Sequence, residues 1–100
     1  VSPVRRPPPP APLHLPRLAQ GMAGQWVQLP GSAARVLGLT GRVEEARPGS
    51  LVCLSGEVVV DLPTGDFVRL RTGETFRVGE GGWQALATAA ETVLLHLPES

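Results

Sequence analysis

The chain has no lysine, isoleucine, tyrosine or asparagine, a single cysteine, a single methionine and only four aromatic residues in 100. With Cys53 alone, no intrachain disulfide can form. Nine arginines face nine acidic residues, so net charge is zero. That balance argues against a sequence-independent nucleic-acid binder, which needs surplus positive charge to release counterions. It equally argues against an electrostatic binder of membrane surfaces. Low net charge weakens self-repulsion and favours self-association, so a homodimer is expected. No apolar run approaches the roughly 20 residues of a spanning helix. No signal-peptide pattern is present either: after Arg5-Arg6, prolines occupy the place of an apolar stretch. The first residue is Val1 rather than Met, from which an upstream segment is expected to be missing. Together these features predict a soluble cytoplasmic protein.

Most of the eleven prolines fall in Val1–Pro16 (VSPVRRPPPPAPLHLP). Proline fixes φ and lacks an N–H, so this stretch is expected to form neither helix nor central strand but an extended polyproline-type arm. Leu15 to Met22 can make one helical turn, ended by Gly21 and Gly24. Arg6–Pro12 matches a basic residue followed by PxxP, a coincidence of composition here. The expected organisation is an arm or linker over residues 1–20 and a packed domain over residues 21–100.

From Gly24 onward the pattern turns to short β-like segments. Gln25–Leu29 alternates, with Trp26 on one face and Val27 and Leu29 on the other. Ala34–Leu39 follows, and Gly38 inside it marks a bulge or a close backbone approach. Strands are predicted over 42–46, 51–55, 57–62, 67–71, 75–78, 83–87 and 92–97. Their turns are Ser55-Gly56, Pro63-Thr64-Gly65-Asp66 and Thr72-Gly73-Glu74, among others. Val58, Val60, Val68, Leu70, Phe76 and Val78 alternate as an inward set. Many short strands at spacings near ten residues, with Gly- and Pro-rich turns, predict an all-β sandwich or closed barrel. Closure also removes the exposed edges of a small sheet.

Cys53 lies in the apolar run Leu51-Val52-Cys53-Leu54 and is expected to be a buried small hydrophobe rather than a reactive thiol. Arg69, Arg71 and Arg77 read as a basic cluster on the outer face of adjacent strands, paired with Asp61, Asp66, Glu57 or Glu74. Gly79-Glu80-Gly81-Gly82 is followed by no helix, so it is not a phosphate cradle. Trp26 and Trp83 are candidates for the core, the barrel mouth or a dimer interface.

Residues Arg42 to Leu97 resemble the cupin (RmlC-like jelly roll) family, on two cues. Leu54-Ser55-Gly56-Glu57-Val58 is similar to the end of the first cupin motif, and Gly73 to Gln84 to the second. In the second, Gly73 and Gly81 fall in register, Gly79 stands where the motif has proline, and Gln84 stands where it has histidine. In the first, the glutamate position falls on Gly49 and the histidine pair near Arg42 to Glu45, where there is no histidine. The resemblance implies a small antiparallel cupin-like barrel, or jelly roll, behind the proline-rich arm. Family members usually carry a metal on three histidines and a glutamate, and this chain has only His14 and His96.

The resulting expectation is a metal-free, cofactor-free, small-molecule-binding or regulatory domain with no catalytic residues. Gln84, His96, Arg42 and Glu44 would line its interior, with Gln84 pointing inward. Two alternatives stay open. One is a cupin-type oxygenase or isomerase with an atypical ligand set drawn from Glu44, Glu45, Gln84 and His96. The other is an interaction module whose barrel is filled by side chains.

Overall fold

The computed structural model describes residues 12–99; residues 1–11 of the expected arm lie outside them. The first element is a helix, α1 (Leu15–Gly21). Nine strands follow: β1 (Trp26–Gln28), β2 (Arg35–Leu39), β3 (Arg42–Glu45), β4 (Gly49–Ser55), β5 (Glu57–Asp61), β6 (Phe67–Arg71), β7 (Thr75–Val78), β8 (Trp83–Ala87) and β9 (Thr92–Pro98). They form two antiparallel sheets. One has the order β1-β2-β9-β4-β7 and the other β3-β8-β5-β6. The architecture is the expected all-β jelly roll, and each strand lies within two residues of its predicted bounds. Among the described residues, no helix is long and apolar enough to cross a membrane.

The inner faces of both sheets supply one core. Leu37, Leu51, Cys53 and Leu94 come from the five-stranded sheet; Val58, Val60, Leu70 and Ala85 come from the four-stranded one. These are the alternate residues of each strand, as pleated geometry requires. The space between the sheets is thus filled by apolar side chains along most of its length.

The five-stranded sheet is also buried on its outer face. There α1 lays Ala19, fully buried, against Val36 and Val93, with Leu15 and Leu18 beside it. A seven-residue helix is unstable in isolation, so this packing is what holds it. His14 caps it, with Nδ1 accepting from the Arg17 N–H at 3.2 Å. Pro16 sits in the first turn, where an N–H has no intrahelical partner anyway. The helical turn expected over Leu15–Met22 is therefore present, and it begins within the last two residues of the proline-rich stretch. It also draws Leu15–Gln20, assigned from the sequence to the arm, onto the sheet. Gly38 explains the fit, because a Cβ there would stand 2.8 Å from the Ala19 carbonyl oxygen. The close approach expected at Gly38 is therefore the seat of α1.

The basic cluster divides. Arg69 and Arg71 lie beside Glu57 on the four-stranded sheet, at 3.3 and 3.9 Å. Arg77 belongs to β7 in the other sheet and pairs with Glu99. The grouping of all three fails because β6 and β7, consecutive in sequence, enter different sheets.

Cys53 is fully buried, with Sγ 3.3 Å from the Ser55 carbonyl oxygen. Burial raises its pKa, and the charges of Glu57 and Glu74 add to that; the Ser55 contact opposes it. A thiol reagent is expected to modify Cys53 in the native protein roughly 10³-fold or more slowly than in denaturant, the factor set by the unfolded fraction. Comparable rates in the two conditions would contradict this burial.

Candidate functional site

One end of the sandwich departs from the apolar core. Arg35 shares the inner face of β2 with Leu37 and Leu39, and His96 lies directly opposite it on β9. From the other sheet, Glu45 of β3 faces inward opposite Trp83 of β8. Arg35 Nη2 donates to Glu45 Oε2 at 3.2 Å and to His96 Nδ1 at 2.9 Å. The guanidinium carbon stands 4.2 Å over the Trp26 ring. The imidazole of His96 is fully buried between the two indoles, at centroid distances of 5.9 Å from Trp26 and 5.7 Å from Trp83. Trp83 is itself fixed by its Nε1–H donating to the Arg47 carbonyl at 2.9 Å.

The protonation pattern follows from arginine having only donors. Nδ1 of His96 must accept, so the neutral ring carries its proton on Nε2. Nε2 makes no hydrogen bond among the described residues. The Arg47 carbonyl favours the charged ring, but it is a neighbour already engaged by Trp83 rather than a hydrogen-bond partner. Burial, followed by the charge of Arg35, lowers the His96 pKa against the weaker pull of Arg47 and Glu45. For Glu45, burial alone raises the pKa. The Arg35 charge and the N–H groups of Arg47 and Ala46 outweigh it, and the net direction is down. The cluster is therefore one internal ion pair beside a neutral imidazole. Gly49 makes room for it. A Cβ there would lie 2.9 Å from His96 Nε2 and would overlap the Leu97 carbonyl oxygen.

Of the four residues expected inside the barrel, His96 projects inward. Arg42, Glu44 and Gln84 do not. Trp83 and Ala85 are the buried residues of β8, which turns Gln84 to the outer face, where its Nε2 donates to Glu44 Oε1 at 3.1 Å. Arg42 pairs across the strands with Leu86 on that same outer face. The expected inward Gln84 is thus one residue out of register, and a one-residue slip sends a side chain to the opposite face. The alternation Trp83-Ala85-Ala87 was the signal for the correct register. Arg35 is not among the residues expected at the site, although its period-two spacing with Leu37 and Leu39 places it inside.

Outside this cluster, at the same end, an open cleft of about 640 Å³ lies between the end of β3, the start of β8 and the β5–β6 turn. Its walls include Trp83, Gln84, Pro63 and the carboxylates of Glu44, Glu45 and Asp61. Glu45 belongs to both places, lining the cleft and pairing with Arg35 behind it.

The residues present do not fit a cupin metal. His96 Nδ1 and Glu45 Oε2 both face one guanidinium, and no group of three or more His, Cys, Asp or Glu is placed to hold an ion among the described residues. Nor do Glu44, Glu45, Gln84 and His96 converge, since two face outward and two inward.

No protein-family model matches the chain, and no curated relative matches its sequence. Solved structures do match. Protein NMB1881 from Neisseria meningitidis superposes with a TM-score of 0.65 at 18% identity, covering 87% of this chain and 99% of that one. A cupin-2 domain containing protein from Shewanella frigidimarina gives 0.59 at 10% identity over 77% and 82%. A chain from the structure of Drosophila melanogaster CENP-C bound to CAL1 gives 0.55 at 16% identity over 75% and 76%. At these identities the likeness establishes the fold.

The pH dependence of stability follows from the two shifts. Unfolded, His96 titrates near its ordinary 6.5; folded, it titrates lower. Between those values the unfolded chain holds a proton that the folded one lacks, so stability rises with pH there. Stability from this group is complete above 6.5 and falls as pH drops below it. Glu45, lowered from 4.5, removes more below that value. The charged groups facing His96 are Arg35, Glu45 and Arg47. Urea unfolding is expected to lose up to about 1.4 kcal/mol per pH unit just below pH 6.5. The His96→Gln variant is expected to show a flat profile until the carboxylates titrate. An unchanged slope in that variant would remove His96 as the cause.

Proposed function

We propose that this cupin-fold domain is a small-molecule-binding or regulatory module whose ligand sits in the end cleft rather than between the sheets. The cleft of about 640 Å³ carries the reading. Its volume lies within the usual range for small-molecule sites, and the space between the sheets is taken up by core side chains. Trp83 offers a flat apolar wall, Gln84 a neutral amide, and Glu44, Glu45 and Asp61 a set of acceptors. Such a lining favours ligands that bring donors or positive charge, amines and polyols before carboxylates. Of the residues singled out in the sequence, Gln84 and Glu44 serve this role from the outer face; Arg42 and His96 do not line the cleft.

The test is a fragment titration followed by amide and indole NMR signals, using panels of small amines, polyols and carboxylates. Amines are expected to shift the signals of Trp83, Gln84 and Glu45. The double variant Glu44→Gln, Asp61→Asn is expected to weaken an amine probe about two- to thirtyfold, since partly exposed charge pairs contribute about 0.2–1 kcal/mol each. Shifts confined to other parts of the domain, or none with any panel, would retire the cleft.

A second reading is a homodimeric interaction module. It is favoured by the filled interior together with Phe67 and Leu86, which stand 66% and 36% exposed on the outer face of the four-stranded sheet. The neutral chain offers little repulsion to pairing. One of the solved structures with this fold is a protein complex, CENP-C bound to CAL1. Light scattering after gel filtration is expected to show a dimer that Phe67→Glu with Leu86→Glu converts to a monomer. A wild-type monomer, or a dimer indifferent to both changes, would remove this face as the interface.

A further inference from the structure

We propose that the Arg35 guanidinium is the resident cation of this barrel, standing on the donors of a latent metal site that is free to form only when Arg35 is replaced. One nitrogen, Nη2, lies 2.9 Å from His96 Nδ1 and 3.2 Å from Glu45 Oε2. An imidazole nitrogen and a carboxylate oxygen are donors that first-row metals take. Here they converge on a single point from opposite sheets. The imidazole is also in the form a metal ligand needs, neutral with the lone pair on the converging nitrogen.

The surroundings hold these donors in place independently of Arg35. The second oxygen of Glu45 accepts from the Ala46 and Arg47 N–H groups at 3.1 and 3.4 Å. The His96 ring is held between Trp26 and Trp83. Outer contacts of this kind orient the ligands of metal sites. While Arg35 remains, a divalent ion meets a permanent positive charge about 3 Å from each donor, in a site shielded from water. An arginine cannot lose its proton to yield the place, as a lysine can.

Two donors do not complete a transition-metal site. The third is supplied by register, because position 35 lies directly opposite His96 across β2 and β9. Opposite residues carry their Cβ atoms about 4.5–5.5 Å apart, close enough for two imidazoles to share an ion. Arg35→His therefore sets two histidines and Glu45 around the vacated point, the two-histidine, one-carboxylate pattern of open metal sites. This inference does not depend on the cleft having a ligand.

The test compares the full chain as wild type, His96→Ala, Arg35→His, and Arg35→His with His96→Ala, each titrated with Co²⁺. His14, the only other histidine, is common to all four. The wild type is expected to show no cobalt absorption band and no change in Tm. Arg35→His is expected to take up roughly one equivalent, with a visible band and a Tm that rises with cobalt concentration; both disappear in the double variant. Cobalt uptake by the wild type that His96→Ala abolishes would overturn the proposal, as would a folded Arg35→His protein that takes up none. Nitrogen-15 NMR of the wild-type His96 ring decides independently of variant folding. A proton on Nε2 supports the proposal, and a proton on Nδ1 overturns it, because Arg35 could not then donate.

Discussion

Everything at the polar end of this sandwich depends on one charge held indoors. Arg35 sits on an inward-facing strand position, and desolvating a guanidinium is costly unless it is paired. Glu45 supplies the pair from the opposite sheet, His96 Nδ1 accepts from the same nitrogen, and the Trp26 ring lies against the guanidinium. Removing one partner of such a pair leaves an uncompensated buried charge, which typically costs about 3–5 kcal/mol. The cluster therefore ties the two sheets together and fixes the protonation form of the one buried histidine. It also sets the space in which Gly49 has to remain glycine, against Leu97 and His96.

The rest of the molecule is arranged around that end by ordinary burial. The five-stranded sheet is covered on both faces, by the core inside and by α1 outside. Hence β2 reads as a near-continuous apolar run after Arg35 rather than an alternation. Among the described residues, the four-stranded sheet is covered on one face only. Its outer side carries Glu57, Arg69, Arg71, Glu44 and Gln84 in alternation with core residues. The cleft lies where this half-covered sheet reaches the polar end, and it borrows Glu45 from the internal pair.

That arrangement explains how a cupin fold stands with a single interior histidine. The positions near Arg42 to Glu45 and at Gly49 do face this end, but Val43 packs, Glu45 answers an arginine, and Gly49 clears space for the His96 ring. The donors that are present converge on the Arg35 guanidinium.

Much of the fold was legible along the chain because its signals are local. Period-two alternation in β5, β6 and β7 and the turns at Ser55-Gly56 and Thr72-Gly73-Glu74 placed every strand within two residues. Gly38 announced a close approach, and the seat of α1 is that approach. The site was mostly illegible. Gln84 was placed on the wrong face by motif spacing, although Trp83-Ala85-Ala87 carried the true register. Sequence proximity groups Arg77 with Arg69 and Arg71, but β6 and β7 are neighbours along the chain and lie in different sheets. By itself, the sequence determined strand placement, charge balance and the number of available metal donors, all properties of single residues or short windows. Only the tertiary structure decided that Arg35, Glu45 and His96 meet. Their contact joins three strands separated by up to 61 positions, and the pairing of β2 with β9 and the packing of one sheet on the other are long-range outcomes that no local pattern encodes.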